Sequence, residues 1–344
     1  MTSDSSPDGR SPLPVGALDI RPLAAGDLDA IVVIDRALSG RNRHGFFARR
    51  LDHAARDPAA FVALAAERSG RLAGFVFARI YEGEFGAVAR EAVLDAIGVD
   101  AAAAGQPGVG RLLGDRLVAI LHERGIRELV TQVDWTDNGL LGYFARTGFV
   151  LAPRIVLARP VGAPLLAASA HALRPPRATS ETDYSRPDGD DFESLAHDRL
   201  PVRSMTREDL SAIVEIDRRI TGRSRPAYYA RKLDEAFTES AVQMSLVAEI
   251  DRHPVGFVMA RVDGGEFGHA DPEAVLDTIG VDPQRVHHGV ASALLSQLLA
   301  NLAALRTETL RTEVGWNHFG LLSFLDRMGF GPHRRLALRR PIDD

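Results

Sequence analysis

The 344-residue sequence contains no cysteine. That excludes disulfides, thiolate zinc sites, iron–sulfur clusters and a cysteine nucleophile. Lysine is nearly missing too: of 41 basic residues only Lys232 is a lysine. No Walker-type phosphate lysine exists, and imine chemistry would rest on Lys232 alone. Lys232 stands beside Arg231 in a charged stretch of helical pattern, so the expectation for it is solvated surface. A basic surplus is absent as well. The net charge is −5, which argues against a nucleic-acid footprint. No apolar run approaches the roughly 20 residues that span a bilayer. Met1 to Gly16 is rich in Ser, Asp, Pro and Gly and lacks the apolar centre of a signal peptide. These absences lead to the expectation of a soluble, cytoplasmic protein.

What is present is globular composition, 45% hydrophobic and 25% charged, in a chain long enough for two domains. The chain repeats itself. Ile34-Asp35-Arg36 returns as Ile216-Asp217-Arg218, 182 positions later, and Gly83-Glu84-Phe85-Gly86 returns as Gly265-Glu266-Phe267-Gly268. The longest match sets Glu91–Asp100 against Glu273–Asp282. Beyond it the spacing becomes 181, pairing Trp135 with Trp316 and Gly148-Phe149 with Gly329-Phe330. One copy has therefore gained or lost a single residue between Asp100 and the next helix. The expected organisation is a disordered tail at 1–16, a first domain at 17–161, a linker at 162–198 and a second domain at 199–344. A short helix at Leu165 to Leu173 is an open possibility for the linker. Duplicated domains usually bury a shared face, so a pseudo-two-fold arrangement is expected.

Within each copy the pattern predicts a short strand, two helices, two strands, the shared EAVLD strand, a loop, and an amphipathic helix. A strand ending at tryptophan, a helix running into Gly-Phe and a last strand follow. Thr206 with Asp209 forms a capping-box pattern. Leu294, Leu295, Leu298, Leu299 and Leu302 share one face of the helix predicted from Gly289 to Leu302. The fold class is α/β, two tandem domains each built on a mixed, mostly antiparallel sheet flanked by helices. Trp135 and Trp316, the only tryptophans, are expected in the core.

The informative junction reads Ile279-Gly-Val-Asp-Pro-Gln-Arg-Val-His-His-Gly-Val-Ala. A glycine at the mouth of a helix lets backbone N–H groups converge on an anion that the helix dipole favours. Strand, V-D-P, short loop, glycine and apolar helix resemble the pyrophosphate-binding segment of the GNAT acetyltransferase superfamily. Phe324-Leu-Asp-Arg-Met-Gly-Phe330 resembles that family's helix before its terminal strands. The resemblance covers essentially both copies.

The resemblance implies that two central strands splay apart and that the pantetheine of acetyl-coenzyme A lies in the gap. An amine would then attack the thioester directly. In copy two, Val281 and the segment Arg285, Val286, His287, His288, Gly289, Val290 and Ala291 would hold the cofactor. In copy one the matching residues are Val99, Gly108, Val109 and Gly110. The family's usual Gln or Arg three residues before the glycine is Val286 here, and Arg285 is the nearest substitute. Copy one is one residue longer in this loop and carries Pro107, which has no N–H to offer. Copy two is therefore the expected catalyst. Asp277 and Asp95 are candidate general bases, the alternative being acids paired with an arginine. The family's tyrosine acid is replaced by Phe144 and Leu325. Tyr143 is one position off, and Tyr228 or Tyr229 is a substitute unless they pack. Glu313 is a weaker base candidate.

Arg41, Arg43, Arg223 and Arg225 lie where the family lines its acceptor site. They either recognise an acidic group on the acceptor or pair with Asp35, Asp217 or Glu84. No metal is expected. The implied function is acetyl-coenzyme A-dependent N-acetylation of a primary amine on a small molecule or a protein, with a homodimer left open. The rival readings are a non-catalytic acyl-coenzyme A-binding or sensing protein, and a pseudoenzyme scaffold.

Overall fold

The computed structural model describes residues 18–82, 90–101, 108–163, 200–239, 244–263, 273–286 and 288–342. The expected tail, the linker helix and the glycine-bearing segments at 83–86 and 265–268 lie outside them. The first copy runs β1 (Leu18–Pro22), α1 (Leu28–Ser39), α2 (His44–Arg56), β2 (Phe61–Arg68), β3 (Arg71–Glu82) and β4 (Arg90–Val99). It continues with α3 (Val109–Glu123), β5 (Glu128–Asp134), α4 (Asn138–Arg146), β6 (Val150–Leu151) and β7 (Arg154–Pro160). The second copy repeats this as β8 (Val202–Ser204), α5 (Leu210–Thr221), α6 (Pro226–Glu239), β9 (Leu246–Ile250), β10 (His253–Asp263) and β11 (Glu273–Val281). It closes with α7 (Val290–Ala304), β12 (Thr309–Gly315), α8 (Phe319–Arg327), β13 (Gly331–Pro332) and β14 (Arg335–Pro341). Among the described residues no helix is long and apolar enough to cross a membrane.

Local chemistry sets the helix limits. The Asp209 carboxylate accepts from the Thr206 N–H at 2.8 Å and from its hydroxyl at 3.0 Å, which caps the turn that leads into α5. Both α1 and α5 stop on a glycine in the left-handed region, Gly40 at φ 71° and Gly222 at φ 75°. On α7 the leucine face is buried, and it packs against the apolar side of the second sheet. The other face of each sheet carries a separate core under the first two helices of that copy, built on Phe47, Phe75 and Phe77 or on Tyr229, Phe257 and Met259.

The two seven-stranded sheets have the orders β1-β2-β3-β4-β5-β14-β6 and β13-β7-β12-β11-β10-β9-β8. Each copy's last long strand therefore lies in the other copy's sheet. The whole of β14 pairs antiparallel with β5, from Arg335 opposite Asp134 to Pro341 opposite Glu128. In return β7 pairs with β12, from Arg154 opposite Gly315 to Pro160 opposite Thr309. The exchange draws the copies together along a seam. There Val156 and Ala337, equivalent residues of the two copies, meet in one small apolar cluster with Ala152. Arginines on the exchanged strands reach back across it, Arg154 to Glu91 and Arg335 to Glu273.

Because seven residues of each half complete the other half's sheet, covalent continuity is not what holds the copies together. A protease site engineered between residues 163 and 200, once cut, is expected to leave two fragments that co-elute on size exclusion without denaturant. Fragments that separate would contradict the exchange.

Candidate functional site

The chemistry gathers where parallel strands part. β4 and β5 pair only at Ala92–Leu129 and Val93–Val130, and β11 and β12 only from Glu273–Thr309 to Val275–Arg311. Beyond those residues each pair splays. At the vertex a threonine hydroxyl takes over a carbonyl that the splaying releases. Thr131 donates to Leu94 O at 3.2 Å, and Thr312 to Leu276 O at 3.0 Å. Satisfying those acceptors lets the wedge open without a desolvation cost.

A β-bulge adjoins each vertex. The β3–β4 register shifts between Phe77 and Ala78, and the β10–β11 register between Met259 and Ala260. The bulged residues, which have no partner across the ladder, are Asp95 and Asp277. A bulge re-aims its side chain, here toward the second helix of each copy. Asp95 is fully buried, with Arg79 Nε at 2.6 Å and Arg50 Nε at 3.2 Å. Asp277 is held by Arg261 and by Lys232 Nζ at 3.3 Å. Neither acid lines the cavity described below, although Arg79 and Arg261 both do.

The expectation of a solvated Lys232 is corrected. Lys232 is 5% exposed and its ammonium lies 5.1 Å from the ring of Tyr81 and 6.0 Å from that of Tyr228. It occupies the position of Arg50 on the helix face turned to the bulge, which adjacency to Arg231 in the sequence conceals. Tyr81 belongs to the first copy, so the two buried ion networks meet at the seam. Burial raises the Tyr81 hydroxyl well above the ordinary phenol range. The tryptophan expectation is corrected too: Trp135 is 59% and Trp316 52% exposed. Both follow the last residue of their strand and project past the sheet's end. Tyr228 and Tyr229 are buried helix-packing residues, and Phe144 and Leu325 are buried in the cores.

Helices α3 and α7 begin without a side-chain cap, on Gly108 at φ 117° and Gly289 at φ 73°. Their first-turn N–H groups therefore lack the usual side-chain acceptor, the arrangement an anion needs. Before α7, Asp282 accepts from Gln284 N at 3.0 Å and pairs with Arg219 at 2.6 Å, which fixes the loop's start. Arg285 and Val286 are exposed, and His288 Nδ1 lies 3.1 Å from Val286 O. Val281 is half-buried at the end of β11, and Val290 and Ala291 form the first turn. His287 and the copy-one segment with Pro107 lie outside the described residues. In copy one, Tyr143 donates to Gly110 O at 2.9 Å, and a Cβ on Gly110 would stand 3.5 Å from both Tyr143 and Val99. A phosphate-bearing thioester cofactor fits the splayed strands and uncapped helix of copy two.

Of the four arginines expected near an acceptor, Arg43 and Arg225 each close a two-pronged pair on the preceding helix, with Asp35 and Asp217. Arg41 and Arg223 are exposed.

A cavity of about 960 Å³ opens beside the β11–β12 wedge, the size of a small-molecule site. Copy two supplies Asp217, Ile220, Arg261 and Glu313, and copy one closes it with Glu91, Gln132 and Arg154. Glu313 accepts a hydrogen bond from Gln132 Nε2, and Arg154 NH1 lies 3.3 Å away. Desolvation holds its carboxyl above the ordinary glutamate range, with Glu91 adding and Arg154 and Gln132 opposing. Gln132 and Arg154 belong to no motif that the sequence singles out. The available signal is a position-by-position comparison of the copies, in which Thr-Gln-Val stands where the other has Thr-Glu-Val.

The family model described as the acetyltransferase (GNAT) family matches residues 32–149 and again 210–330. No curated protein matches the sequence. Solved structures do. A GCN5-related N-acetyltransferase from Sphaerobacter thermophilus superposes with a TM-score of 0.58 at 16% identity, covering 96% of this chain and 98% of that one. A tandem GNAT protein from the clavulanic acid biosynthesis pathway gives 0.62 at 15%, covering 95% and 99%. A glucosamine N-acetyltransferase region in a fungal multi-domain β-N-acetylglucosaminidase gives 0.61 at 15% over 97% of this chain, which spans 39% of that protein. At such identities the likeness is one of fold.

Removing a buried acid from between two cations leaves both charges uncompensated. Asp95→Ala is expected to cost about 3–5 kcal/mol, read as a lower urea midpoint at unchanged slope. An unchanged midpoint would mean that the Asp95 pairs contribute nothing.

Proposed function

Because the chain belongs to the acetyltransferase (GNAT) family, we propose that it is an acetyl-coenzyme A-dependent N-acetyltransferase acting on a primary amine, with its working site in the C-terminal copy. One observation carries the choice of copy. The cavity bearing Glu313 is lined by Ile279 and Gly280 toward the splayed end of β11, the strand whose following loop leads to the uncapped start of α7. Acetyl-coenzyme A supplies an acetyl group activated as a thioester. The amides of the segment from Val286 to Ala291 would hold its pyrophosphate, and Val281 would flank its arm. Gly108, Val109 and Gly110 are the corresponding residues of copy one.

An alkylammonium must lose a proton before its nitrogen can attack. Of the acids on the cavity wall, Glu91 is held by Arg154 and Asp217 by Arg225. Burial raises the Glu313 carboxyl, which suits a base working nearer neutrality. We assign the proton to Glu313. Asp277 and Asp95, the bases expected from the resemblance, are proposed as anchors that hold Arg261 and Arg79 at the cavity wall. Arg223 and Arg41, exposed at the ends of their helices, remain the proposed contacts for an acidic group on the acceptor.

A second reading has its own observation. Both copies bury an apolar residue, Phe144 or Leu325, where the family carries its tyrosine acid. That favours a protein that binds an acyl-coenzyme A without turning it over.

The absence of cysteine makes the test clean, since a thiol reagent in the assay reports only released coenzyme A. Calorimetric titration of acetyl-coenzyme A is expected to show binding that Gly289→Glu abolishes and Gly108→Glu preserves. With an amine panel, Glu313→Gln is expected to keep that binding and lower thiol release by about 10²–10⁴-fold. The wild-type rate should fall as pH drops through the raised Glu313 value, and that acid limb should vanish in Glu313→Gln. A wild type that binds nothing ends the enzyme reading. Binding without release under any amine selects the second one.

A further inference from the structure

Gln132 and Glu313 are equivalent residues, 181 positions apart in the two copies, yet they hydrogen-bond to each other. Equivalent side chains touch only beside the axis that relates the copies, so this contact lies on the pseudo-two-fold. Two glutamates there would repel each other, and two glutamines would leave no acid. The substitution leaves one carboxylate with an amide facing it. The amide's orientation is set from both ends: Nε2 donates to Glu313, and Oε1 accepts from Arg311.

The exchanged strand supplies the second contact. β7 lies beside β12, with Val156 opposite Glu313 and Arg154 opposite Gly315. From there Arg154 reaches Glu313 and Glu91 together. Without the exchange, Arg154 would stand in its own copy's sheet.

We propose that Gln132 and Arg154 are positioning residues for Glu313, so that the N-terminal copy completes the acceptor cavity of the C-terminal copy. This rests on the reading of Glu313 as the base. The groups facing Glu313 are Arg154 from β7, Gln132 from β5, Glu91 from β4 and Arg311 on its own strand. The first two favour the carboxylate, so removing either drives the group toward its protonated form.

The test uses the full chain labelled with ¹³C at the glutamate carboxyls. The difference between wild-type and Glu313→Gln spectra identifies the Glu313 resonance, whose titration midpoint is then followed. In Gln132→Met and Arg154→Met the midpoint is expected to move up by about one pH unit, and Arg154→Lys should restore most of it. Gln132→Glu, which makes the copies alike here, should raise it further. Should Arg154→Met fail to fold, Arg154→Lys and the Gln132 variants decide. A midpoint that none of them moves overturns the proposal, and so does a wild-type Glu313 that titrates like an exposed glutamate. If the midpoint moves while the acid limb of thiol release does not, positioning stands and the assignment of Glu313 as base falls.

Discussion

Strands β5 and β12 each present a row of backbone donors and acceptors that must find partners, and in each case seven residues of the other copy supply them. The rest of the molecule follows from that pairing. An edge strand left open is a liability, and here it is closed reciprocally, so neither sheet is complete alone. The closure brings Val156 against Ala337, places Arg154 beside β12, and sets copy one's β3–β5 face over copy two's splayed strands. The cavity is a product of this pairing more than of either domain by itself.

Charge management at the seam has the same logic. A bulge directs an acid inward in each copy, where it is met by two cations. A buried ion pair seldom adds net stability, but a broken one costs several kcal/mol. Such networks therefore act as alignment pins. Arg79 and Arg261, paired with their acids, also line the cavity, and Arg79 and Lys232 both lie against the Tyr81 ring. The geometry of one copy's wall is thereby tied to that of the other.

Local signals were the legible part of the sequence. The Thr206–Asp209 box, the leucine face of α7, the order of elements and the duplication all depend on neighbours within a few turns or on direct comparison. The family match falls once in each copy, at 32–149 and 210–330. The exchange was not legible, because Arg-Ile-Val-Leu-Ala-Arg-Pro and Arg-Leu-Ala-Leu-Arg-Arg-Pro are so alike that either would satisfy either sheet. The burial of Lys232 is hidden for a related reason: its linear neighbours are charged, but its helix face is turned to a bulge that can be located only by counting pairs between strands. Residue type argues for buried tryptophans, whereas their position one residue past a strand end puts them outside. At the site, the glycine mouths of α3 and α7 could be read. The Gln132–Glu313 contact could not, since it joins residues that the repeat treats as the same position.

The exchange also orders events during synthesis. The partner that β5 needs is β14, which begins 201 positions after the Asp134 it pairs with. At about 5–20 residues per second, the first sheet waits on the order of 10–40 s with an unfinished edge while the second copy is translated. Closing so distant a pair carries a loop entropy that local contacts do not share. The N-terminal half is made before the C-terminal half and finished after it, since its sheet closes only when β14 has left the ribosome.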